Sequence, residues 1–297
     1  MHFSNMKYFS FPQIRQRSIK NAVRILLLLL AAYAVQTAPA MADILTTEKI
    51  SGVEVDIRRP ENGIHPLIIF SHGMGKCPAD YAGIQSRLAD AGYMVVAPKH
   101  ADCTSGSTRP DTPWRQPEKW TAQTNRNRRD DIHRVLDALP SHPDAQYIKS
   151  FKQVGCAGHS MGGYTCMGLA GAWESWKRNE VIAVALLSPW HQPYAVQKRI
   201  ANMRHVTTLY QGGTKDRPIS TELIKPNGTF YQTAPAKYLQ IFKRARHSSW
   251  TDGRLAKRFH QQMSDYLVSF FDVSFKKGAK QKLEVRKSQV SELQFVH

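Results

Sequence analysis

The chain has 297 residues, of which 42% are hydrophobic and 10% are aromatic, and its formal net charge is +18. This apolar content excludes an intrinsically disordered chain, the 18 glycines and 16 prolines exclude a collagenous one, and four cysteines are too few for a fold built on disulfides. The length allows one large domain or two small ones, and the charge raises the question of a nucleic acid or membrane partner.

The amino-terminal segment has the pattern of an export signal. Residues 1–24 carry basic but no acidic side chains, an apolar run follows at Ile25–Val35, and small residues then include Ala40 and Ala42. This succession is typical of a secretory signal peptide, and eleven apolar residues form only about 16 Å of helix, too short to span a membrane. We therefore predict a signal peptide over residues 1–42, cleaved after Ala42 or Ala40, and a periplasmic or secreted protein.

The rest of the chain alternates apolar runs of strand length with amphipathic helical runs. Strands are predicted at residues 66–71, 94–98, 154–157, 181–187, 205–210 and 238–242, and helices at 81–91, 129–139, 163–172 and 255–270. Continuous apolar strands separated by helices predict a mostly parallel sheet covered on both faces, and residues 45–59 add an antiparallel pair. We predict one α/β domain over residues 43–273, and a basic, weakly structured tail over 274–297.

The segment Gly158–Gly162 fits the pattern G-x-S-x-G, with Ser160 at its centre. The pattern follows a buried strand and precedes a helix-compatible run, which is the setting of a nucleophile elbow. In this turn, small neighbours allow a strained backbone that exposes the serine hydroxyl. The sequence therefore predicts Ser160 as a nucleophile, the alternative being a glycine-rich turn without chemistry.

A serine hydroxyl needs a base that is oriented by an acid before it can attack a carbonyl carbon. In a fold of this kind the partners follow the serine in the order acid, then histidine, each just past a strand. Asp216 and His247 each stand a few residues past a predicted strand, in that order. We predict the triad Ser160, Asp216 and His247, with Glu222 as the alternative acid.

An oxyanion hole needs two backbone N–H groups that point at the developing negative charge. One is expected from Met161, the residue after the nucleophile, and the other from Met74 in the loop after the first central strand. His72 and His159 flank these turns, and we expect them to orient the backbone rather than to transfer protons.

Several of these segments resemble the α/β-hydrolase superfamily, and more narrowly the platelet-activating-factor acetylhydrolases and dienelactone-hydrolase-like esterases. The resembling segments within residues 50–270 are 70–75, 91–98, 129–139 and 157–164. The resemblance implies a serine carboxylic-ester hydrolase with the triad and oxyanion donors named above. Two departures are Ser160, where dienelactone hydrolases have a cysteine, and Lys99, where members often carry an aspartate.

The substrate is less well defined by the sequence. The connection 188–203, where this fold usually inserts a lid, is short, so we expect no large lid and a preference for short-acyl or accessible esters. Four tryptophans are candidates for a substrate pocket, with ordinary packing as the alternative: Trp114, Trp120, Trp190 and Trp250.

The cysteines fall into two pairs. Cys77 and Cys103 lie in two loops on the same edge of the predicted sheet, so an exported chain allows a disulfide between them. Cys156 lies in a strand and Cys166 on the next helix, and we expect buried free thiols there. No cofactor is expected, and no metal, because no His/Cys cluster has ligand spacing.

The leading hypothesis is thus an exported serine hydrolase that cleaves small-molecule or polymeric carboxylic esters through an acyl-enzyme. Thioesterase, amidase and polyester hydrolase activities remain alternatives because the triad serves acyl transfer in general. A non-catalytic protein that binds polyanions is a further alternative, although no nucleic-acid module is visible and no nucleic acid partner is expected. The basic tail could provide weak contact with an anionic membrane or envelope surface.

Overall fold

A nine-stranded sheet runs through the part of the chain that the computed structural model describes, residues 43–103, 113–254 and 256–297. The predicted signal peptide lies outside these residues, as does Leu255. The strands are β1 Asp43–Ile50, β2 Val53–Pro60, β3 Leu67–Ser71, β4 Met94–Pro98, β5 Val154–His159, β6 Val181–Leu187, β7 Thr207–Gly213, β8 Lys237–Phe242 and β9 Val290–Val296. Their order across the sheet is β1-β2-β4-β3-β5-β6-β7-β8-β9. Strands β3 to β8 are parallel, and β1, β2 and β9 are antiparallel to their neighbours.

Helices cover both faces of this sheet. They are α1 Ala82–Asp90, α2 Arg126–Ala138, α3 Met161–Met167, α4 Gln192–Val196, α5 Arg217–Ile224, α6 Thr229–Gln232, α7 Lys257–Phe275 and α8 Gln281–Glu284. Successive side chains of a strand point to opposite faces, so the buried strands feed two hydrophobic cores. One core contains side chains of α1 and α7, and the other contains side chains of α2 to α6. The predicted α/β class is confirmed.

The connections between the elements are short where a lid would stand. Residues 188–203 are all described, and they hold only α4 and a 3₁₀ turn at Ile200–Met203. No large lid is therefore inserted there. Among the residues that the structure describes, no helix combines the length and the apolar character that a membrane span requires.

The prediction of a weakly structured tail over residues 274–297 is wrong. Helix α7 ends at Phe275, α8 follows, and β9 pairs antiparallel with β8 at the edge of the sheet. Leu283 is fully buried and Val290 is 1% exposed. The sequence pattern missed them because the apolar residues of this strongly basic segment are scattered, and their burial depends on tertiary contacts with the core on the α7 side of the sheet.

We predict that Leu283→Ala lowers the free energy of unfolding by about 2–5 kcal/mol, because it leaves a cavity under α7. The matched control is Val285→Ala, two residues away, since Val285 is 63% exposed and its loss should change stability by less than about 0.5 kcal/mol. Urea unfolding followed by tryptophan fluorescence measures both. Equal stability of the two variants would show that the carboxyl-terminal segment does not pack as described.

Candidate active site

Three loops that follow parallel strands meet at one edge of the sheet. Ser160 comes directly after β5, Asp216 follows β7, and His247 follows β8. Because the carboxyl ends of parallel strands share an edge, residues far apart in the chain come together there. The structure thus brings the three predicted triad residues to one place.

The contacts among these three side chains form a continuous line. His247 Nε2 lies 2.8 Å from Ser160 Oγ, and His247 Nδ1 lies 2.9 Å from Asp216 Oδ2. Asp216 is 5% exposed, whereas the His247 side chain is 44% exposed. The alternative acid, Glu222, lies on α5 and pairs with Lys225 rather than with His247. This geometry suits proton transfer from the serine hydroxyl to an imidazole that a buried carboxylate orients.

The backbone at Ser160 adopts a strained conformation, with φ 54° and ψ −114°. A non-glycine residue at positive φ is uncommon, and strain of this kind is found at functional turns. Close packing explains the adjacent glycines: a Cβ on Gly162 would lie 1.8 Å from the Ser71 carbonyl oxygen, and one on Gly158 would lie 2.4 Å from Gly162. The turn therefore has the backbone geometry of a nucleophile elbow, and its helix packs directly on the ends of β3 and β5.

The two expected oxyanion donors lie on either side of this elbow. Met161 is the first residue of α3, and Met74 lies in the loop after β3. The neighbouring N–H groups of this loop are occupied: Gly73 donates to Tyr81 Oη and Gly75 donates to Asp102 Oδ2. Within the described part of the chain, the N–H groups of Met74 and Met161 have no acceptor. They are thus available to a substrate oxygen.

A chain of hydrogen bonds joins the three loops of the site. Tyr81 Oη accepts from the Gly73 N–H at 3.1 Å and donates to His159 Nδ1 at 2.8 Å. His159 Nε2 in turn donates to the His247 carbonyl oxygen at 2.8 Å. Burial, together with the nearby His247, lowers the pKa of His159 to about 3, so this imidazole is neutral. His159 thus orients backbone groups, in line with its predicted role.

Sequence reasoning missed Ser188, which follows β6 and touches the triad. Its hydroxyl donates to Asp216 Oδ2 and lies 3.3 Å from His247 Nδ1. The side chain is fully buried, and the backbone is at φ 45°. Its position at the end of a predicted strand was the only signal, and that signal does not distinguish it from other serines.

Three of the four candidate tryptophans form one cluster. The Trp114 ring centroid lies 5.3 Å from that of Trp120 and 5.2 Å from that of Trp190. Trp190 is adjacent to the nucleophile, since its N–H donates to the Ser160 carbonyl oxygen at 2.9 Å. Trp114 and Trp190 are half-buried and Trp120 is 1% exposed. The three indoles form an apolar wall, and the Trp190 backbone connects this wall to Ser160.

Trp250 does not belong to that wall, contrary to the pocket prediction. It is fully buried, packs in the core on the α7 side of the sheet, and donates from Nε1 to Gln211 Oε1. The reason is local, because the chain after His247 forms a 3₁₀ turn, His247–Trp250, that directs the indole inward.

The four cysteines form two disulfides. Cys77 is bonded to Cys103, as the loop positions allowed. Cys156 is bonded to Cys166, so the expectation of free thiols there is wrong. The nucleophile elbow reverses the chain and packs α3 on β5, which brings the two Cα atoms to 5.6 Å, a separation that a disulfide spans.

The structure also brings together Glu48, His142 and Asp144, whose ligand atoms lie within 4.8 Å of one another. His142 Nδ1 accepts the Asp144 backbone N–H, so the hydrogen bond to Glu48 Oε2, at 3.0 Å, comes from Nε2. Sequence spacing could not show this group, because Glu48 and His142 are 94 residues apart. Its donors and acceptors satisfy one another.

The sheet order, the serine elbow between β5 and α3, and the acid and histidine after later strands define an α/β-hydrolase. The sequence model of the chlorophyllase family matches residues 36–188, which include Ser160. The chain belongs to the chlorophyllase family, a member of the α/β-hydrolase superfamily, and this membership indicates a hydrolase that acts on esters. Asp216 and His247 lie beyond the matched range. No curated protein sequence matches the chain significantly.

We predict that Ser188→Ala slows the reaction of Ser160 with a fluorophosphonate about tenfold. The buried Asp216 carboxylate loses a hydrogen bond of the kind that contributes about 1.5–3 kcal/mol, and the acid and imidazole lose alignment. Intact-protein mass spectrometry gives the labelling rate. The control is Ser269→Ala on α7, whose hydroxyl donates to the Asp265 carbonyl oxygen within the same helix. Equal rates in the two variants would remove Ser188 from the site.

Acid should destabilise the protein through His159. Its pKa is about 3 in the folded chain and about 6.5 when unfolded, so between these values the unfolded chain binds more protons. The free energy of unfolding therefore falls as the pH drops from 6.5 towards 3. We predict a shallower fall for His159→Gln, by up to about 1.4 kcal/mol per pH unit, in urea titrations at pH 4–7. An unchanged slope would contradict this assignment.

Proposed function

We propose that this protein is a serine hydrolase of carboxylic esters that works through the triad Ser160, Asp216 and His247. The observation that carries the proposal is the pair of contacts at His247, 2.8 Å to the serine Oγ and 2.9 Å to the aspartate Oδ2. Membership of an ester-hydrolase family supports the same reaction.

In the first half of the reaction, Ser160 Oγ attacks the ester carbonyl carbon while His247 Nε2 takes the hydroxyl proton. The carbonyl oxygen becomes an oxyanion that the N–H groups of Met74 and Met161 stabilise. The tetrahedral intermediate then collapses: the bond to the alcohol oxygen breaks, and His247 gives its proton to the leaving alcohol. The product of this half is an acyl group on Ser160.

In the second half, water replaces the alcohol. His247 takes a proton from the water, the hydroxide oxygen attacks the acyl carbon, and the bond to Ser160 Oγ breaks as His247 returns the proton to it. The carboxylic acid leaves, and the enzyme is restored. Asp216 accepts the hydrogen bond from His247 Nδ1 and stabilises the imidazolium that forms twice in the cycle.

An accessible site favours short-acyl or otherwise exposed esters as substrates. The His247 side chain is 44% exposed, and the connection after β6 holds no large lid. The half-buried Trp114 and Trp190 offer an apolar surface beside the nucleophile. The family name refers to chlorophyll, so a chlorophyll ester belongs in the substrate panel beside acetyl and longer-chain acyl esters.

We further propose that the protein acts after export, in the periplasm or outside the cell. The signal-peptide pattern of residues 1–42 supports this location. Two disulfides give independent support, because disulfides persist in oxidising compartments and are rare in the cytosol.

The test is hydrolysis of p-nitrophenyl acetate, longer acyl esters, a chlorophyll ester, a thioester and an amide by the purified protein. Ser160→Ala should lose at least about a thousandfold in rate, because the nucleophile is gone, and should take no fluorophosphonate label. Ser269→Ala on α7 serves as the folded control. Equal activity of wild type and Ser160→Ala on every substrate, or a wild type that takes no label, would overturn the proposal.

A further inference from the structure

A fully buried arginine lies under the loop that follows β3. Arg128, on α2, donates from Nη1 to the His72 carbonyl oxygen at 2.7 Å and from Nη2 to the Gly73 carbonyl oxygen at 3.3 Å. Its side chain is 1% exposed. The guanidinium thus binds the backbone just before Met74, and we name residues 72–77 the oxyanion loop.

Asp102 completes this arrangement on the other side of Met74. Its two oxygens lie 2.9 and 2.7 Å from Arg128 Nη2, and Oδ2 accepts the Gly75 N–H at 3.3 Å. The backbone is therefore held through carbonyl groups before Met74 and through an amide after it. Such fixation leaves the Met74 N–H little freedom of direction.

A covalent link joins the same two segments. Cys103 follows Asp102 directly, and its disulfide to Cys77 closes the end of the oxyanion loop against the loop after β4. Lys99, three residues before Asp102, pairs with Glu54 at 2.8 Å. The carboxylate that serves the oxyanion loop therefore comes from Asp102.

The other titratable groups close to the Arg128 guanidinium are two neutral histidines and a carboxylate that binds elsewhere. His100 and His72 face it, and burial together with the Arg128 charge holds the pKa of each well below its usual range, so both are neutral. Asp131 binds Arg134 and His100 instead. Burying an ion pair contributes little to stability compared with apolar residues of similar volume. The Arg128–Asp102 pair is thus better explained by the backbone groups that it positions than by a contribution to the stability of the fold.

We propose that Arg128 and Asp102, with the Cys77–Cys103 disulfide, are positioning residues that fix the Met74 N–H in the oxyanion hole. This inference rests on the proposed function. It predicts that loosening the oxyanion loop weakens binding of the transition state more than binding of the ester, because the oxyanion forms only during the reaction.

The experiment compares the double variant Arg128→Met/Asp102→Leu, which removes both buried charges together, with wild type. The matched control is Lys99→Met/Glu54→Leu, which removes a half-exposed ion pair at the start of the loop after β4, the loop that also carries Asp102. For the first variant we expect a kcat lower by 10- to 100-fold, a KM within about threefold of wild type, and a similar melting temperature. The control should keep the wild-type kcat.

Hydrogen exchange supplies a readout that does not depend on activity. Amides of residues 73–76 should exchange at least about tenfold faster in the Arg128→Met/Asp102→Leu variant and in Cys77→Ala/Cys103→Ala, with no change in β5. Unchanged kcat with unchanged exchange would overturn the inference, as would a loss of kcat matched by the control or by general unfolding. If wild type and Ser160→Ala are equally inactive, the proposed function fails. Hydrogen exchange alone then decides whether Arg128 and Asp102 fix the oxyanion loop.

Discussion

The positive φ of Ser160 is the constraint on which the rest of the site depends. Such a backbone costs about 1–3 kcal/mol and persists only when its surroundings impose it. Here β5 lies at the centre of the sheet, the Trp190 N–H binds the Ser160 carbonyl oxygen, and the Cys156–Cys166 disulfide fastens α3 to β5. The turn is therefore held from the strand side, the helix side and the neighbouring loop at once.

The loops around Ser160 are not independent of one another. Tyr81 and His159 connect the Gly73 amide to the His247 carbonyl oxygen, so the oxyanion loop, the elbow and the loop of the base share one line of hydrogen bonds. Ser188 adds a contact between the acid and the base. A shift of one loop is therefore transmitted to the others, which couples the positions of His247 and the Gly73–Met74 backbone.

The features that the sequence predicted are those that follow from a local pattern of residues. Apolar runs marked Met94–Pro98 and Val181–Leu187 with the bounds that the strands have, and G-x-S-x-G marked the elbow. The triad residues could be chosen because topology fixes their order along the chain. The Cys156–Cys166 disulfide, Ser188 and the burial of Leu283 could not be predicted, because each depends on how two elements pack against each other, and a single sequence carries no record of such distances.

Strand β9 protects one edge of the sheet close to the candidate site. It follows the other described strands in the chain, yet it covers the edge of β8, the strand that leads into the His247 loop. Until β9 pairs with it, β8 has one row of unpaired amide and carbonyl groups, which invites pairing with other chains. The His247 loop is therefore attached to a fully paired strand only once β9 is in place, and a variant truncated before Val290 would lose the protection of that edge.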